Sequence, residues 1–176
     1  MSEISTSYAY AETPVGKLLV AGDAKVLRLI AFQQGSRVHH PQKAWRNDPA
    51  PFADVFRQLD DYFAGKRTSF SLSLHLGGTG FQNAIWTALQ EVPYGSTITY
   101  RDLAARIGKP AAIRAAGAAN GANPFPIVVP CHRVIGSNGS LTGFGGGIEA
   151  KRFLLAHEQK FGARQSAPGA GKRACF

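Results

Sequence analysis

The hydrophobic residues of this chain change their spacing at the Gly77-Gly78 pair. Just before this pair, over residues 70–76, Phe and Leu alternate with Ser and His, which is typical of a half-buried strand. After it, apolar residues recur at helical spacing, at Phe81, Ile85, Leu89 and Val92. We therefore predict a small α/β domain over residues 1–78, a glycine hinge, and a mainly helical domain over residues 79–162.

Further local patterns extend this outline. Apolar runs at 15–20 and 26–32 flank a Gly-Asp-Ala turn and predict a β-hairpin. Residues 51–64 carry apolar side chains at helical spacing, so we expect an amphipathic helix there. Residues 163–176 are rich in Gly, Ala, Lys and Arg, and we predict that they form a disordered basic tail.

The second domain has the spacing of a helix-turn-helix. Thr79 is a predicted N-cap of its first helix, and Thr99 with Asp102 forms a predicted capping box at the next. Pro110 suits the first turn of a third helix over residues 111–119. Two short helices joined by a tight turn are typical of DNA-binding modules, but the same spacing is common in ordinary helical packing.

The third predicted helix consists almost entirely of small residues. It carries almost no side chain able to read base edges, because sequence readout needs Arg, Asn, Gln or Glu at several positions. Such a thin helix can approach a phosphate-walled groove closely, with Arg114 as the single long side chain able to enter a duplex. The same residues equally fit tight helix packing with Arg114 in a surface ion pair.

The positive charge lies mostly in the second half of the chain. Residues 79–176 hold 11 Lys and Arg against 4 Asp and Glu, a net charge of +7, whereas residues 1–78 hold 9 against 7. A surface that binds a polyanion therefore belongs to the second half. We find neither an apolar run of about 18 residues nor a cationic segment leading into one, so we expect no membrane span and a cytoplasmic protein.

Thiol chemistry is predicted at Pro130-Cys131-His132-Arg133-Val134. An adjacent histidine, a nearby cation and the free N–H groups of a turn each lower the pKa of a thiol and make it a better nucleophile. The β-branched run at 127–129 predicts a strand, so Cys131 equally fits a small buried residue at a strand end. We expect Cys131 and Cys175 to be reduced. His39-His40 is an isolated pair of possible ligands, so we predict neither a metal site nor a cofactor.

A carboxylate near the end of the second domain completes a candidate proton relay. A helix from about Ile148 is predicted to end with His157 and Glu158. A carboxylate there can accept the ring N–H of His132 and fix the tautomer whose other nitrogen takes the thiol proton. The spacing does not settle whether His157 or Glu158 faces inward. The glycine-rich segment 143–147 suggests close backbone approach to a planar ligand, and it lacks the phosphate-binding glycine patterns.

From about residue 81 to residue 158 the chain resembles the O6-alkylguanine-DNA alkyltransferases, also called methylated-DNA-protein-cysteine methyltransferases. The resemblance rests on residues 127–135 (IVVPCHRVI), on Asn123-Pro124 before them and on residues 154–158 (LLAHE) after them. It implies a ribonuclease-H-like α/β domain followed by a helical winged-helix/helix-turn-helix DNA-binding domain.

The resemblance also implies an activity and a partner. The activity is the irreversible, single-turnover transfer of an alkyl group from O6-alkylguanine, and also O4-alkylthymine, in double-stranded alkylated DNA to Cys131. The expected protein is a monomer without a cofactor, with cooperative assembly on DNA left open.

Matching residues acquire expected roles in the reaction. Cys131 would accept the alkyl group, His132 would remove its proton through a water, and Glu158 would orient His132. Tyr100 would donate to a guanine ring nitrogen. Asn123 would be the hinge side chain that links the DNA-binding helix to the loop of the nucleophile.

Other residues would hold the flipped base and the DNA. The carbonyl groups of Cys131 and Val134 would accept from the exocyclic amine of guanine, Phe144 would line the pocket, and the N–H of Gly145 would meet O6. Arg114 would replace the flipped nucleotide. The remaining residues expected at the minor groove are Tyr100, Ala112, Ala115, Gly117 and Ala118.

The chain departs from familiar members of this family at three pocket positions. Phe144 stands where many have Tyr, Asn120 where others have a larger apolar side chain, and Thr142 where some have Gly, so we predict weak reaction with benzyl-sized adducts. Three other functions compete. A damage sensor of this family would replace the nucleophile, which Cys131 retains. A Cys-His-Glu hydrolase would not explain the basic half, and a transcription regulator would need sequence readout.

Overall fold

The computed structural model describes residues 6–165. Cys175 and most of the predicted basic tail lie outside these residues. Within them, no helix combines the length and apolarity needed to cross a membrane. The same residues contain no group of three or more His, Cys, Asp or Glu side chains placed to hold a metal ion.

The first part of the chain forms a four-stranded sheet. Its strands are β1 (Ser7–Ala11), β2 (Leu18–Gly22), β3 (Leu27–Phe32) and β4 (Arg46–Asn47), in the order β3-β2-β1-β4. The antiparallel pairing of β2 with β3 confirms the predicted hairpin. β1 also runs antiparallel to β2, and the short β4 runs parallel to β1. Neither β1 nor β4 was predicted from the local sequence.

The predicted amphipathic helix is present, and the predicted strand after it is largely absent. α1 (Ala53–Phe63) follows a 3₁₀ turn and buries its apolar face against the sheet. Residues 70–76 do alternate between half-buried and exposed side chains. However, only Leu74 makes a ladder contact, a parallel bridge to Leu27 at the start of β3. The alternation of apolar and polar residues over 70–76 therefore indicates a half-buried extended segment and not a regular strand.

The second part is mainly helical. Its helices are α2 (Gly80–Gln90), α3 (Tyr100–Arg106), α4 (Ile113–Gly121) and α5 (Ile148–Gln165), and its strands β5 (Ile98–Thr99) and β6 (Val134–Ile135) pair in parallel. Thr79 caps α2, with Gln82 completing a reciprocal capping box. The predicted capping box of Thr99 and Asp102 at α3 is confirmed.

Two predicted helix boundaries are wrong. Pro110 lies in a turn before α4 and not in its first helical turn, because the N–H of Ala112 first closes a turn onto the carbonyl of Lys109. α5 continues past Glu158 to Gln165. Gly162 lies inside this helix and does not end it.

Candidate functional site

The loop that carries Cys131 is built from consecutive turns. The predicted strand at 127–129 is wrong: these residues form a turn, followed by a 3₁₀ turn over Cys131–Arg133 and then by β6. Ile127 is buried and has a φ of 75°, which is a strained conformation for a β-branched residue. Such strain costs of order 1–3 kcal/mol and persists only where the surroundings enforce it. The nucleophile loop is therefore held in place by its packing.

Cys131 is a buried free thiol, 5% exposed. Burial raises its pKa, while a hydrogen bond from Asn123 and the charge of Lys151 act in the opposite direction. The resting side chain is thus a protonated thiol, which agrees with the buried alternative that the sequence left open. Any nucleophilic reaction must remove its proton during the reaction.

His132 is hydrogen-bonded to Glu158 as the relay requires. Its Nε2 lies 2.8 Å from Oε1 of Glu158, and both side chains are fully buried. Burial lowers the pKa of His132 despite the opposing effect of Glu158, so the ring is neutral. A neutral ring that donates from Nε2 to a carboxylate carries a free lone pair on Nδ1. Among the described residues, this Nδ1 has no hydrogen-bond partner.

Glu158 is the most heavily hydrogen-bonded side chain of the site. Besides His132, it accepts from both Nε and a terminal nitrogen of Arg133, each at 2.8 Å. The Tyr62 hydroxyl donates to it at 2.8 Å and the Gly95 N–H at 3.0 Å. Burial raises the pKa of Glu158, but the hydrogen bonds and charges of His132 and Arg133 hold it well below its usual range. The orienting group is therefore a carboxylate fixed by both parts of the molecule.

The choice between the two neighbouring residues on α5 is resolved by their contacts. Glu158 faces His132, whereas Nε2 of His157 lies 2.8 Å from the carbonyl oxygen of Tyr62. His157 is also buried, among aromatic rings that include Phe63 and Phe161. It therefore packs α5 against α1 and takes no part in the relay.

Asn123 connects the end of α4 to the nucleophile loop. Its Nδ2 donates to the carbonyl oxygen of Val129 at 2.7 Å, and its Oδ1 accepts from the N–H of Phe125 at 2.9 Å. The Asn123 amide also acts to lower the pKa of the Cys131 thiol, so this side chain both braces the loop and influences the nucleophile.

A buried lysine supports the opposite side of the site. Lys151 on α5 donates to the carbonyl oxygens of Val134 at 2.6 Å and Thr142 at 2.9 Å. The Tyr100 hydroxyl donates to the same Thr142 carbonyl at 3.2 Å. Burial raises the pKa of Tyr100, so its hydroxyl stays protonated and able to donate. Lys151 thus links β6 to the residue that precedes the glycine-rich segment 143–147.

The glycine-rich segment packs against the first part of the chain. The carbonyl oxygen of Gly145 accepts from the N–H of Ser36 at 3.1 Å. The Phe144 ring is buried edge-to-face on Phe32 of β3, with ring centres 5.4 Å apart. A cavity beside Cys131 is enclosed by these two phenylalanines, by Gly145 and by Asn120 and Asn123 at the end of α4.

The exposed face of the helix-turn-helix carries the small residues of α4. Ala115 and Ala118 are exposed, and Ala112 and Gly117 are half-buried, with the Tyr100 ring packed next to Gly117. The Arg114 side chain is exposed and makes no ion pair with any residue in 6–165. This leaves a smooth helix face with one long cationic side chain.

Three functional contacts were not predicted from the sequence. Tyr62 has no local signal, because it lies 96 residues from Glu158. Arg133 was part of the quoted motif but received no role. Lys151 was detectable in principle, since it lies seven residues before Glu158 and shares the buried face of α5 with Leu154.

Comparison with known protein families gives two matches that together span most of the chain. Residues 6–76 match the ribonuclease-like domain of 6-O-methylguanine DNA methyltransferase, and residues 80–160 match the DNA-binding domain of the same family. The chain is 46% identical over 151 residues to the methylated-DNA--protein-cysteine methyltransferase of Methanosarcina acetivorans, covering 86% of this chain and 97% of the relative. Identity is also 46% over 153 residues to the protein of that name in Mycobacterium tuberculosis H37Rv, covering 86% and 92%.

The fold is also similar to solved structures. The crystal structure of Mycobacterium tuberculosis OGT in complex with DNA superposes with a TM-score of 0.83 at 44% identity, covering 88% of this chain and 94% of that one. The O6-methylguanine-DNA methyltransferase of Pyrococcus kodakaraensis gives a TM-score of 0.52 at 25% identity, covering 87% and 98%.

Proposed function

The chain belongs to the 6-O-methylguanine DNA methyltransferase family, and on this premise we propose that it repairs double-stranded DNA by moving the alkyl group of O6-alkylguanine to Cys131. The observation that carries the proposal is the buried hydrogen bond between Glu158 and the neutral ring of His132, next to a thiol at the edge of a cavity. This arrangement supplies a nucleophile, a base and a group that orients the base.

The reaction begins with removal of the thiol proton. Nδ1 of His132 takes the proton of Cys131 through a bridging water, and Glu158 stabilises the imidazolium that forms. The positive charge of Lys151 favours the thiolate. Because burial disfavours the thiolate at rest, the nucleophile is generated only when a substrate is in place to consume it.

Alkyl transfer then follows by displacement. The Cys131 sulfur forms a bond to the alkyl carbon, the bond from that carbon to O6 breaks, and its electron pair passes to the purine. The Tyr100 hydroxyl turns away from the Thr142 carbonyl and donates to a ring nitrogen, and the N–H of Gly145 donates to O6, so the departing guanine avoids a full negative charge. In balance, the proton that the thiol loses to His132 passes to solvent, the proton that guanine gains through Tyr100 is replaced from solvent, and the alkyl group remains on Cys131 as a thioether.

DNA reaches this site through the helix-turn-helix. The target oxygen lies inside the duplex, so the nucleotide must be extruded, at a cost of roughly a few kcal/mol. Small residues on the exposed face of α4 let the helix approach the minor groove, and Arg114 fills the space that the base leaves. The carbonyl groups of Cys131 and Val134 then accept from the exocyclic amine of the flipped guanine.

The number of methyl groups transferred per protein molecule distinguishes alkyl transfer from hydrolysis by Cys131, His132 and Glu158. Because the thioether has no route of reversal in this site, we expect methyl transfer from a labelled O6-methylguanine duplex to stop at one methyl group per protein molecule. A titration of excess duplex against protein measures this plateau. Continuing release of product at a steady rate would contradict the proposal and favour a Cys-His-Glu hydrolase.

The wall formed by Phe32 and Phe144 predicts poor reaction with bulky adducts. Both rings are buried and in contact, and the Phe32 ring also packs closely on Gly146, so the wall has little room to move. We expect O6-benzylguanine to inactivate the protein roughly 100-fold more slowly than a methylated duplex does, because a misplaced alkyl carbon costs about that factor. Phe32→Ala should reduce the difference between the rate with O6-benzylguanine and the rate with the methylated duplex. Rapid inactivation of the unmodified chain by the free base would refute this prediction.

A further inference from the structure

Five hydrogen bonds converge on the Glu158 carboxylate, and three of them end on the same oxygen. Oε1 accepts from the Tyr62 hydroxyl, from Nε2 of His132 and from a terminal nitrogen of Arg133, each at 2.8 Å. Oε2 accepts from Nε of Arg133 and from the N–H of Gly95. A carboxylate offers about four lone-pair sites, about two on each oxygen. The three donors on Oε1 therefore compete for its charge.

The charge left on Oε1 decides how strongly Glu158 favours a protonated His132 ring. A carboxylate with fewer hydrogen-bond donors attracts a neighbouring imidazolium more strongly. In the imidazolium both ring nitrogens carry a proton, so Nδ1 is no longer a base. Burial lowers the pKa of His132, and Glu158 opposes this effect. The charges of Arg133 and Lys151 add to the lowering. A neutral donor that takes part of the Oε1 charge also favours the neutral ring.

A second buried phenol shows that the aromatic cluster around Tyr62 does not itself require a hydrogen bond to Glu158. The Tyr94 ring packs edge-to-face on the Tyr62 ring, with ring centres 6.0 Å apart. The Tyr94 hydroxyl oxygen is buried and has no hydrogen-bond partner among residues 6–165. A phenol can therefore be buried in this cluster without donating to the carboxylate. The Tyr62 hydroxyl is distinguished by its contact with Oε1, which also binds the His132 ring.

Charged and titratable side chains face the pair of His132 and Glu158 from several elements. Most of them carry a charge or lie on the same loop or helix as the pair itself. The two tyrosines lie on other elements, and replacing either one by phenylalanine changes no charge at neutral pH. The full set is Tyr62 on α1, Tyr94 in the turn after α2, Cys131 and Arg133 in the nucleophile loop, and Lys151 and His157 on α5.

We propose that Tyr62 is a positioning residue of alkyl transfer, whose hydroxyl takes part of the charge of Glu158 Oε1 and thereby keeps the His132 ring neutral, an inference that rests on the proposed function. The neutral ring retains the Nδ1 lone pair that removes the thiol proton. Tyr62 is fully buried, and its ring packs against Phe70 and His157, so the direction of the hydroxyl is fixed. Through this contact, α1 of the first part of the chain takes part in setting the strength of the base.

The test compares Tyr62→Phe with Tyr94→Phe in the full chain. Each substitution removes one buried hydroxyl from the same cluster, but only Tyr62→Phe removes a hydrogen bond to Glu158. NMR of the DNA-free protein with ¹⁵N-labelled histidine measures the resonance of the His132 Nε2 proton, which moves downfield as its hydrogen bond strengthens. Single-turnover rates of methyl transfer from an O6-methylguanine duplex are measured from about pH 8 to about pH 5, the range in which histidine titrates. Circular dichroism at each pH shows that the protein is folded.

Competition for Oε1 predicts a downfield shift of the Nε2 proton in Tyr62→Phe. The midpoint at which the transfer rate falls on the acid side should rise by about one pH unit, because a hydrogen bond to a carboxylate is worth at least about that much. Tyr94→Phe should change neither quantity. If the Nε2 proton does not move in Tyr62→Phe, or moves equally in both variants, Tyr62 only packs α1 against the site and the inference is wrong.

The two measurements separate this inference from the proposed function. The proton resonance is recorded without DNA, so it reports the effect of Tyr62 on the ring whether or not alkyl transfer occurs. A downfield shift without any change in the acid-side midpoint would contradict the role of His132 as the base. Failure of the unmodified chain to take a methyl group from O6-methylguanine would contradict the proposed function as a whole.

Discussion

Glu158→Gln is expected to lower the free energy of unfolding by about 3–5 kcal/mol, the usual cost of removing one partner of a buried ion pair. Arg133 and His132 are buried with Glu158, and the charge of Arg133 would then have no counter-ion at this site. A glutamine can also donate to Nε2 of His132 and so place the ring proton on Nδ1. The ring would then lose its function as a base, and alkyl transfer should slow by about 10²–10⁴-fold.

Denaturant unfolding and single-turnover methyl transfer measure the two effects. Glu149→Gln is the matched control, since Glu149 lies on the same helix in an exposed pair with Arg152. It should change the free energy of unfolding by no more than about 1 kcal/mol and leave the transfer rate unchanged. Equal effects of the two substitutions would show that the buried carboxylate has no special role.

Acid should destabilise the protein through the same carboxylate. Its hydrogen bonds hold the pKa of Glu158 in the folded protein well below its usual range, so unfolding raises that pKa. The stabilisation is complete above the unfolded pKa of about 4.3 and is lost as the pH falls from there toward the folded pKa. The slope of unfolding free energy against pH in this window should be about one proton shallower in Glu158→Gln. Identical slopes in the unmodified chain and in Glu158→Gln would exclude Glu158 as the source of the acid sensitivity.

Local sequence patterns predicted the parts of the fold that local interactions determine. The capping box of Thr99 and Asp102 joins residues three apart, and the β2-β3 hairpin joins neighbouring runs, so both were predicted correctly. β1 depends on pairing that no short pattern encodes. The run at 127–129 has high β propensity, but it is flanked by Pro126 and Pro130 and is held in a turn by tertiary packing.

The candidate site shows the same division between local and long-range information. Cys131 and His132 are adjacent in sequence, and the family resemblance identified Glu158. The spacing alone left His157 and Glu158 as alternatives, which only their contacts distinguish. The Tyr62 hydroxyl reaches Glu158 from α1, and such a contact across the chain has no periodic signature. For Cys131, the sequence left a thiol of lowered pKa and a buried residue as alternatives, and only the packing shows that burial raises its pKa.

Cys131→Ser is expected to abolish alkyl transfer and leave DNA binding intact. Serine is close to cysteine in size, so the packed loop around the residue should be preserved. A hydroxyl has a far higher pKa than a thiol and is a much weaker nucleophile without strong activation. The exposed face of α4 with Arg114 is unaffected, so affinity for a duplex with one O6-methylguanine should stay within about threefold of the unmodified chain, under 1 kcal/mol.

Intact-mass spectrometry after incubation with that duplex tests the central claim most directly. The unmodified chain should gain the mass of a single CH₂ unit, which fragmentation maps to Cys131, and Cys131→Ser should gain nothing. A chain that binds the methylated duplex tightly without any gain in mass, or one that is methylated equally in both forms, would contradict alkyl transfer to Cys131.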